Sequence, residues 1–368
     1  MNINLISKYP PTVCGIADYS ERLAESLKRF EDAHLEKIAI QHPSPLNPLY
    51  YIKLLNGAEK TCIAHIQFEY GLFAGPISVN ILKCFISSCN VLSLLLYLKF
   101  KKHKAVITMH FVSDPCKKII FDKIERMMCR LSDRIIVPCL ESKKRLLRTN
   151  LCKVNEAKIV HIPLGCQLPK HVFYDMNESK KICGAPDKKI LLSCGFIAPY
   201  KNIHFSVSAL KELPDEVVLF VVGRPNTPAD FKYRDKIENQ VKCLKLEKRV
   251  IFRGYLEETA LSLMFSASDI ILMPYTDVNQ SAVFDMAMGY RKPVLCSDLP
   301  YFRDIKEQFD CLELTGLNNR KQFIGKILFL LNDKERRNTL ETNCGNYARF
   351  NSMDKIAEKH AEVYKTLG

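Results

Sequence analysis

Apolar and polar positions divide the chain into short apolar runs separated by stretches of helical length. The first runs are "INLIS" (3–7), "CIAHIQF" (62–68), "AVITMHF" (105–111), "RIIVPC" (134–139) and "KIVHIPL" (158–164). Each is continuous rather than alternating, the pattern of a strand covered on both faces in a parallel sheet. Amphipathic stretches lie between them. In "ADYSERLAESLKR" (17–29) and the residue before it, Ile16, Tyr19, Leu23 and Leu27 share one helical face. A second series begins near residue 189 with "KILLSCGF", then "VVLFVVG" (217–223), "RVIFRGY" (249–255), "DIILMPY" (269–275) and "KPVLCSD" (292–298). "NIHFSVSALKEL" (202–213) reads as a helix between its first two strands. Segment 167–188 is polar, holds two prolines and has no clear period, so it reads as a linker.

Alternating strands and helices build parallel sheets through right-handed crossovers. Two such series predict an α/β chain of two Rossmann-like, doubly wound domains, residues 1–168 and 186–350, with a helix at about 351–368 packing back on the first. Ligands of open α/β sheets sit at the carboxyl ends of the strands, which predicts a site in a cleft between the two domains.

Composition narrows the class. The chain has 368 residues, 47% hydrophobic and 10% aromatic, enough for two folded domains and too apolar for disorder. "MNINLISKYP" does not read as a signal peptide. The 15 cysteines are scattered through apolar runs without paired zinc spacing, which predicts reduced thiols and a cytoplasmic location.

Net charge is +14 and uneven: residues 101–150 hold 13 Lys/Arg against 5 Asp/Glu, and 251–300 hold 3 against 6. A local basic excess suits an anionic partner; without interleaved aromatics it argues against nucleic acid. "ILKCFISSCNVLSLLLYLKFKKHK" (81–104) reads as too short an apolar run for the roughly 20 residues of a membrane span, with Ser87, Ser88, Asn90 and Ser93 interrupting it. Lys99, Lys101, Lys102 and Lys104 follow, and Lys117, Lys118, Lys123, Arg126 and Arg130 extend the charge. The expectation is peripheral contact of the basic 99–130 region with an anionic membrane, on the inner face of the plasma membrane. A buried crossover helix with a solvated basic end fits the same pattern.

The strand ends carry the chemistry. In "GFIAPYKNI", Gly195 ends a strand and Lys201 stands at a helix start. Glycine admits a ligand close to the backbone, and an ammonium beside a helix N-terminus suits a diphosphate. Ser281, Ala282 and Val283 open a helix whose first N–H groups form an anion site. Gly223 ends another strand, with Arg224 next, and Tyr255 follows a third. In the first domain Gly15 closes the first strand–helix turn after Pro10 and Pro11, while Glu69 and His110 stand just past strands.

In order and spacing these segments resemble the family 4 retaining glycosyltransferases of the GT-B fold. The resemblance rests on "YPPTVCGIADYSERLAESL", "AHIQFEYGLFAGP", "VITMHFVSDP" and "VHIPLG", then "SCGFIAPYKNIHFSVSAL", "VVG" and the stretch from "FRGYLEE" to "GYRKPV". It implies transfer of a hexose (mannose favoured, glucose or galactose next) from a nucleoside-diphosphate sugar to a saccharide or lipid-linked saccharide in glycan biosynthesis, with anomeric configuration retained. By the same resemblance Lys201 meets the diphosphate. Gly15, Gly195, Gly223, Arg224, Tyr255, Ser281, Ala282 and Val283 line the nucleotide-sugar, and Glu69 and His110 serve acceptor and sugar. It implies no metal or other cofactor. The sequence departs from the family in three places. Phe196 and Ala198 stand where an arginine is usual. Ala282 replaces a glycine. Val278 and Met286 replace two glutamates, with Asp277 or Asp285 as substitutes. A nucleotide-sugar epimerase and an inactive nucleotide-sugar-binding protein are the alternatives.

Overall fold

The computed structural model describes residues 2–12, 14–30, 34–40, 48–55, 63–74, 80–112, 119–148, 154–166 and 175–368. Each apolar run named above becomes a strand. In chain order the strands are β1 (Asn2–Ser7), β2 (His34–Ala39), β3 (Ile63–Phe68), β4 (Lys104–Met109), β5 (Arg134–Val137) and β6 (Ile159–His161). Then come β7 (Lys189–Cys194), β8 (Val217–Val222), β9 (Val250–Arg253), β10 (Ile270–Met273), β11 (Val294–Ser297) and β12 (Glu313–Thr315). The helices are α1 (Gly15–Leu27), α2 (Pro48–Leu55), α3 (Asn80–Phe100), α4 (Ile119–Leu131), α5 (Leu140–Arg148), α6 (Met176–Ile182) and α7 (Ile203–Leu210). They continue as α8 (Pro228–Cys243), α9 (Glu258–Ala267), α10 (Ala282–Gly289), α11 (Pro300–Phe309), α12 (Arg320–Asn332), α13 (Lys334–Phe350) and α14 (Met353–Lys365).

The chain forms two units: Met1–Gly165 with Met353–Gly368, and Cys166–Ser352. Unit 1 holds a six-stranded sheet in the order β2-β1-β3-β4-β5-β6, and unit 2 one in the order β12-β11-β10-β7-β8-β9. Every pairing is parallel. The direction of winding reverses between β1 and β3 in unit 1, and between β7 and β10 in unit 2. A crevice opens at such a reversal, because successive crossover helices leave on opposite faces.

In unit 1, Leu23 and Leu27 of α1 share a core with Ile356, Ala357 and Tyr364 of α14. The other face is covered by Val91, Leu94, Leu95 and Leu98 of α3 and Met128 of α4. In unit 2, Leu191, Leu219 and Leu272 of the sheet pack with Val207, Ile237 and Ile327 of α7, α8 and α12. All 12 cysteines among the described residues are free thiols.

The structure corrects several sequence readings. β2 and β12 were not expected. β2, "HLEKIA", is an edge strand with mostly uncovered positions, and β12 is an edge strand of only 3 residues, so neither carries a long apolar run. The linker reading fails for its second half, where α6 forms. Asp175 caps it by accepting the Glu178 amide, and Lys180 reaches Asp269 at 2.7 Å in a buried ion pair. That carboxylate also accepts the Ile190 amide of β7, which pins α6 to the unit 2 sheet. Residues 167–174 lie outside the described residues.

Segment 81–104 is also not interrupted. α3 is one helix of 21 residues, and Ser87, Ser88 and Asn90 are buried along it. Ser87 Oγ accepts the Phe73 amide, Asn90 donates to the Phe73 carbonyl, and Ser88 donates to the Cys84 carbonyl. By length and composition Ile81–Phe100 is sufficient to cross a membrane, and 39% of its apolar window is buried inside the structure. Arg126 is not surface charge either. It is buried and ion-paired to Asp122 at 2.9 Å, one turn away. Lys117 and Lys118 lie outside the described residues.

Candidate active site

The reversal point of unit 2 holds a cavity of about 300 Å³, lined by residues that include Gly195, Lys201, Gly223, Arg224, Tyr255, Ser281, Ala282 and Val283. Four segments build it. After β7 the chain turns at Gly195, whose φ of 95° favours glycine. Its amide bonds the Val222 carbonyl, tying it to the end of β8. Gly223 has φ 131°, and a Cβ there would lie 2.0 Å from the Gly195 carbonyl oxygen. Two backbones thus pass where no side chain fits.

Lys201 closes a short 3-10 turn, Pro199–Lys201, and Asn202 then takes a left-handed conformation, φ 54°, that redirects the chain into α7. The lysine is 4% exposed. Its Nζ donates to the Cys194 carbonyl and lies 5.5 Å from the centroid of the Tyr275 ring. Among the described residues no carboxylate pairs with it. Burial lowers its pKa from 10.5 to about 8, with the Cys194 thiol acting the other way. A Cβ on Gly195 would stand 2.3 Å from this Nζ and 3.1 Å from Val283 Cγ2. The ammonium and the opening of α10 therefore meet at the same glycine.

Ser281 caps α10, and its hydroxyl accepts the Phe284 amide at 3.2 Å. The Asp285 amide bonds the Ser281 carbonyl. Ala282 and Val283 are the first two residues of the helix, and their amides have no partner within it. Ammonium, helix N-terminus and close backbone make a cavity for an anion. On its rim Arg224 lies 5.7 Å from the ring centroid of the exposed Tyr255. Tyr200 and Phe196 expose further aromatic surface.

Tyr200 and Tyr275 were not singled out from sequence. Their rings meet edge-on at 5.8 Å, and the Thr276 amide bonds the Tyr200 carbonyl at 2.8 Å. A weak signal was present: "PY" occurs in the turn after β7, as Pro199-Tyr200, and just past β10, as Pro274-Tyr275. Asp285 does not replace a missing glutamate in the cavity. It is buried beneath α10, accepts from the Tyr347 hydroxyl at 3.2 Å and the Cys166 thiol at 3.7 Å, and is pushed up to about 7 by burial. Asp277 is exposed and does not line the cavity. Among the described residues no group of three or more His, Cys, Asp or Glu is placed to hold a metal ion.

At the carboxyl edge of the unit 1 sheet stand Gly15, Glu69 and His110, after β1, β3 and β4. Phe68 and Met109 are register partners, so Glu69 and His110 follow adjacent strand ends. Glu69 is half-buried, and burial raises its pKa. His110 is buried; its Nε2 lies 2.7 Å from Gln67 Oε1, and its ring meets Tyr19 edge-on at 5.4 Å. Gln67 Nε2 in turn lies 3.2 Å from His65 Nε2, and His65 Nδ1 lies 2.6 Å from the Tyr364 hydroxyl. His110 is thus part of a buried network reaching α14. A Cβ on Gly15 would meet nothing within 4 Å. The fold itself does not require glycine at position 15.

Residues 175–349 match the family model described as glycosyl transferases group 1. A GDP-mannose:glycolipid 4-beta-D-mannosyltransferase from Xanthomonas campestris is 28% identical over 106 residues, 28% of this chain and 29% of that protein. An alpha-monoglucosyldiacylglycerol synthase from Streptococcus pneumoniae is 26% identical over 153 residues, 39% of this chain and 33% of that protein. The chain thus aligns with only 29% to 33% of the length of these relatives. Among solved structures, HepE from Anabaena in complex with UDP superposes with a TM-score of 0.78 at 16% identity, covering 100% of both chains. That likeness establishes the shared fold, GT-B, and the family model accounts for the unit that holds the cavity. Over residues 175–349 the chain is thus similar to the glycosyl transferases group 1.

Proposed function

We propose that the protein is a retaining glycosyltransferase that moves a hexose, mannose first, from a nucleoside-diphosphate sugar to a saccharide or lipid-linked saccharide acceptor. The observation that carries this reading is the buried Lys201 ammonium, without a carboxylate partner among the described residues, beside the α10 N-terminus. A buried cation without a counter-ion is costly, and a bound diphosphate removes that cost. The relatives support the class of donor and acceptor: one is named for GDP-mannose and a glycolipid. Arg224 and Tyr255 are assigned to the nucleoside.

In this reading the bond between anomeric carbon and diphosphate breaks first, and Lys201 with the 281–283 amides stabilises the departing charge. The acceptor oxygen attacks from the same face, and its proton passes to the leaving diphosphate oxygen. Glu69 and His110 orient acceptor and sugar, Gly15 leaves room for them, and no metal is needed. We also place the protein at the cytoplasmic face of a membrane, reached through the basic stretch that begins at Lys99.

The test is Lys201→Ala, assayed with GDP-mannose and UDP-glucose and by calorimetry with GDP and UDP. A loss of at least about 10²-fold in rate is expected, the size of one charge-stabilising group. Unchanged turnover overturns the assignment. A second reading, a nucleotide-sugar-binding protein without turnover, is favoured by one fact: among the described residues no carboxylate lines the cavity. Diphosphate binding with neither transfer nor donor hydrolysis would select it.

A further inference from the structure

α3 is buried on one side and apolar on the other. Val91, Leu94, Leu95 and Leu98 face the unit 1 core. On the outward side Ile81, Phe85, Cys89, Leu92, Leu96 and Phe100 recur every three or four residues and form one stripe along the helix. Ile81 is 61% exposed, Phe85 40%, Leu96 51% and Phe100 81%. Helical rise makes this stripe about 30 Å long. Isolated exposed apolar residues are ordinary on protein surfaces, but a continuous stripe of this length marks a contact surface.

Charge selects the occupant. Lys99, Lys101 and Lys102 are exposed at the stripe's C-terminal end. On α4, which packs against α3, Lys123 and Arg130 are exposed too, with Met127 between them. Two copies of a chain with net charge +14 repel each other, whereas an anionic surface attracts this one. We infer that the outward face of α3 lies flat on an anionic lipid bilayer, its apolar stripe in the acyl boundary and its lysines among the head groups; this rests on the proposed lipid-linked acceptor. Because the opposite face belongs to the unit 1 core, the helix docks on the membrane rather than crossing it.

Flotation with vesicles of phosphatidylglycerol and phosphatidylcholine, against pure phosphatidylcholine, tests this. The wild-type chain should float with the anionic vesicles only. Phe85→Asp with Leu96→Asp should weaken binding at least tenfold, and Lys101→Ala with Lys102→Ala roughly tenfold or more. All four positions are partly or fully exposed, and circular dichroism with thermal melts confirms that the variants fold. Wild-type vesicle binding unchanged in the aspartate variant overturns the inference, as does no binding by the wild type. A dimer in ultracentrifugation that the aspartates split, without vesicle binding, overturns it in favour of a second copy. Lys201→Ala separates the two readings: it should abolish diphosphate binding and leave flotation intact.

Discussion

Beneath its strand ends unit 1 buries three histidines, His65, His110 and His360, whereas unit 2 buries Lys201 and Asp285. The sheets are alike, but these groups answer burial differently. Burial favours the neutral form of two of these rings: the pKa of His65 falls well below its ordinary value, and that of His360 falls to about 4. His65 bonds Thr108, Gln67 and Tyr364, and His360 bonds Tyr19 and the Ile356 carbonyl, so both rings find their partners inside unit 1. Lys201 bonds a backbone carbonyl and, among the described residues, has no carboxylate partner. The lesson is that buried rings satisfied by their neighbours, as His65 and His360 are, hold the fold, while a buried charge left without a carboxylate at a reversal point reads as a ligand site.

Glycine substitutions sharpen this contrast most. Gly223→Ala places a methyl against the Gly195 backbone at a φ of 131°, and should cost more than about 3 kcal/mol in unit 2. Gly15→Ala meets only open space and should stay within about 0.5 kcal/mol. Chemical denaturation measures both. Equal costs would erase the distinction between a glycine the backbone demands and one left open for a ligand.

Acid should then separate the units. His360 binds a proton at about 6.5 when unfolded and at about 4 when folded, so the unfolded chain holds more protons in between. Its contribution is complete above pH 6.5 and is lost as pH falls toward 4, up to about 3 kcal/mol. Asp285, raised from 3.8 to about 7, acts oppositely: the folded form holds more protons, and stability falls as pH rises through that window. Hydrogen exchange read by unit at pH 5 and pH 7 should find unit 1 loosened by acid and unit 2 not. A uniform response breaks the comparison.

The smallest effect concerns binding. Lys201 loses its proton near pH 8 in the free protein, so GDP or UDP affinity should fall about tenfold as pH rises past that value. In Lys201→Met the fall should vanish. The same slope in both proteins would remove Lys201 from the diphosphate site.

Much of the site was legible because its residues follow strands that announce themselves. Gly195, Gly223 and Ser281 stand at the ends of apolar runs or the start of a helix, and chain order alone marks them. Lys201 was legible as a lysine at a helix start, but its burial and lack of a carboxylate were not, because both depend on what packs around it. Asp285 and His110 show the limit. Asp285 looks like a substitute site carboxylate by position, yet it points into the core beneath α10, and the buried hydrogen bond of His110 to Gln67 is set by packing alone.

Local periodicity by itself determined the strand series, their parallel pairing through helical crossovers and the glycines at their tips, since these follow from spacing along the chain. Strand order was decided only by tertiary packing: edge strands such as β2 and β12 leave weak patterns, and the placement of β3 beside β1 or β10 beside β7 is not written in either run. That order brings Lys201 to the opening of α10, where both line one cavity.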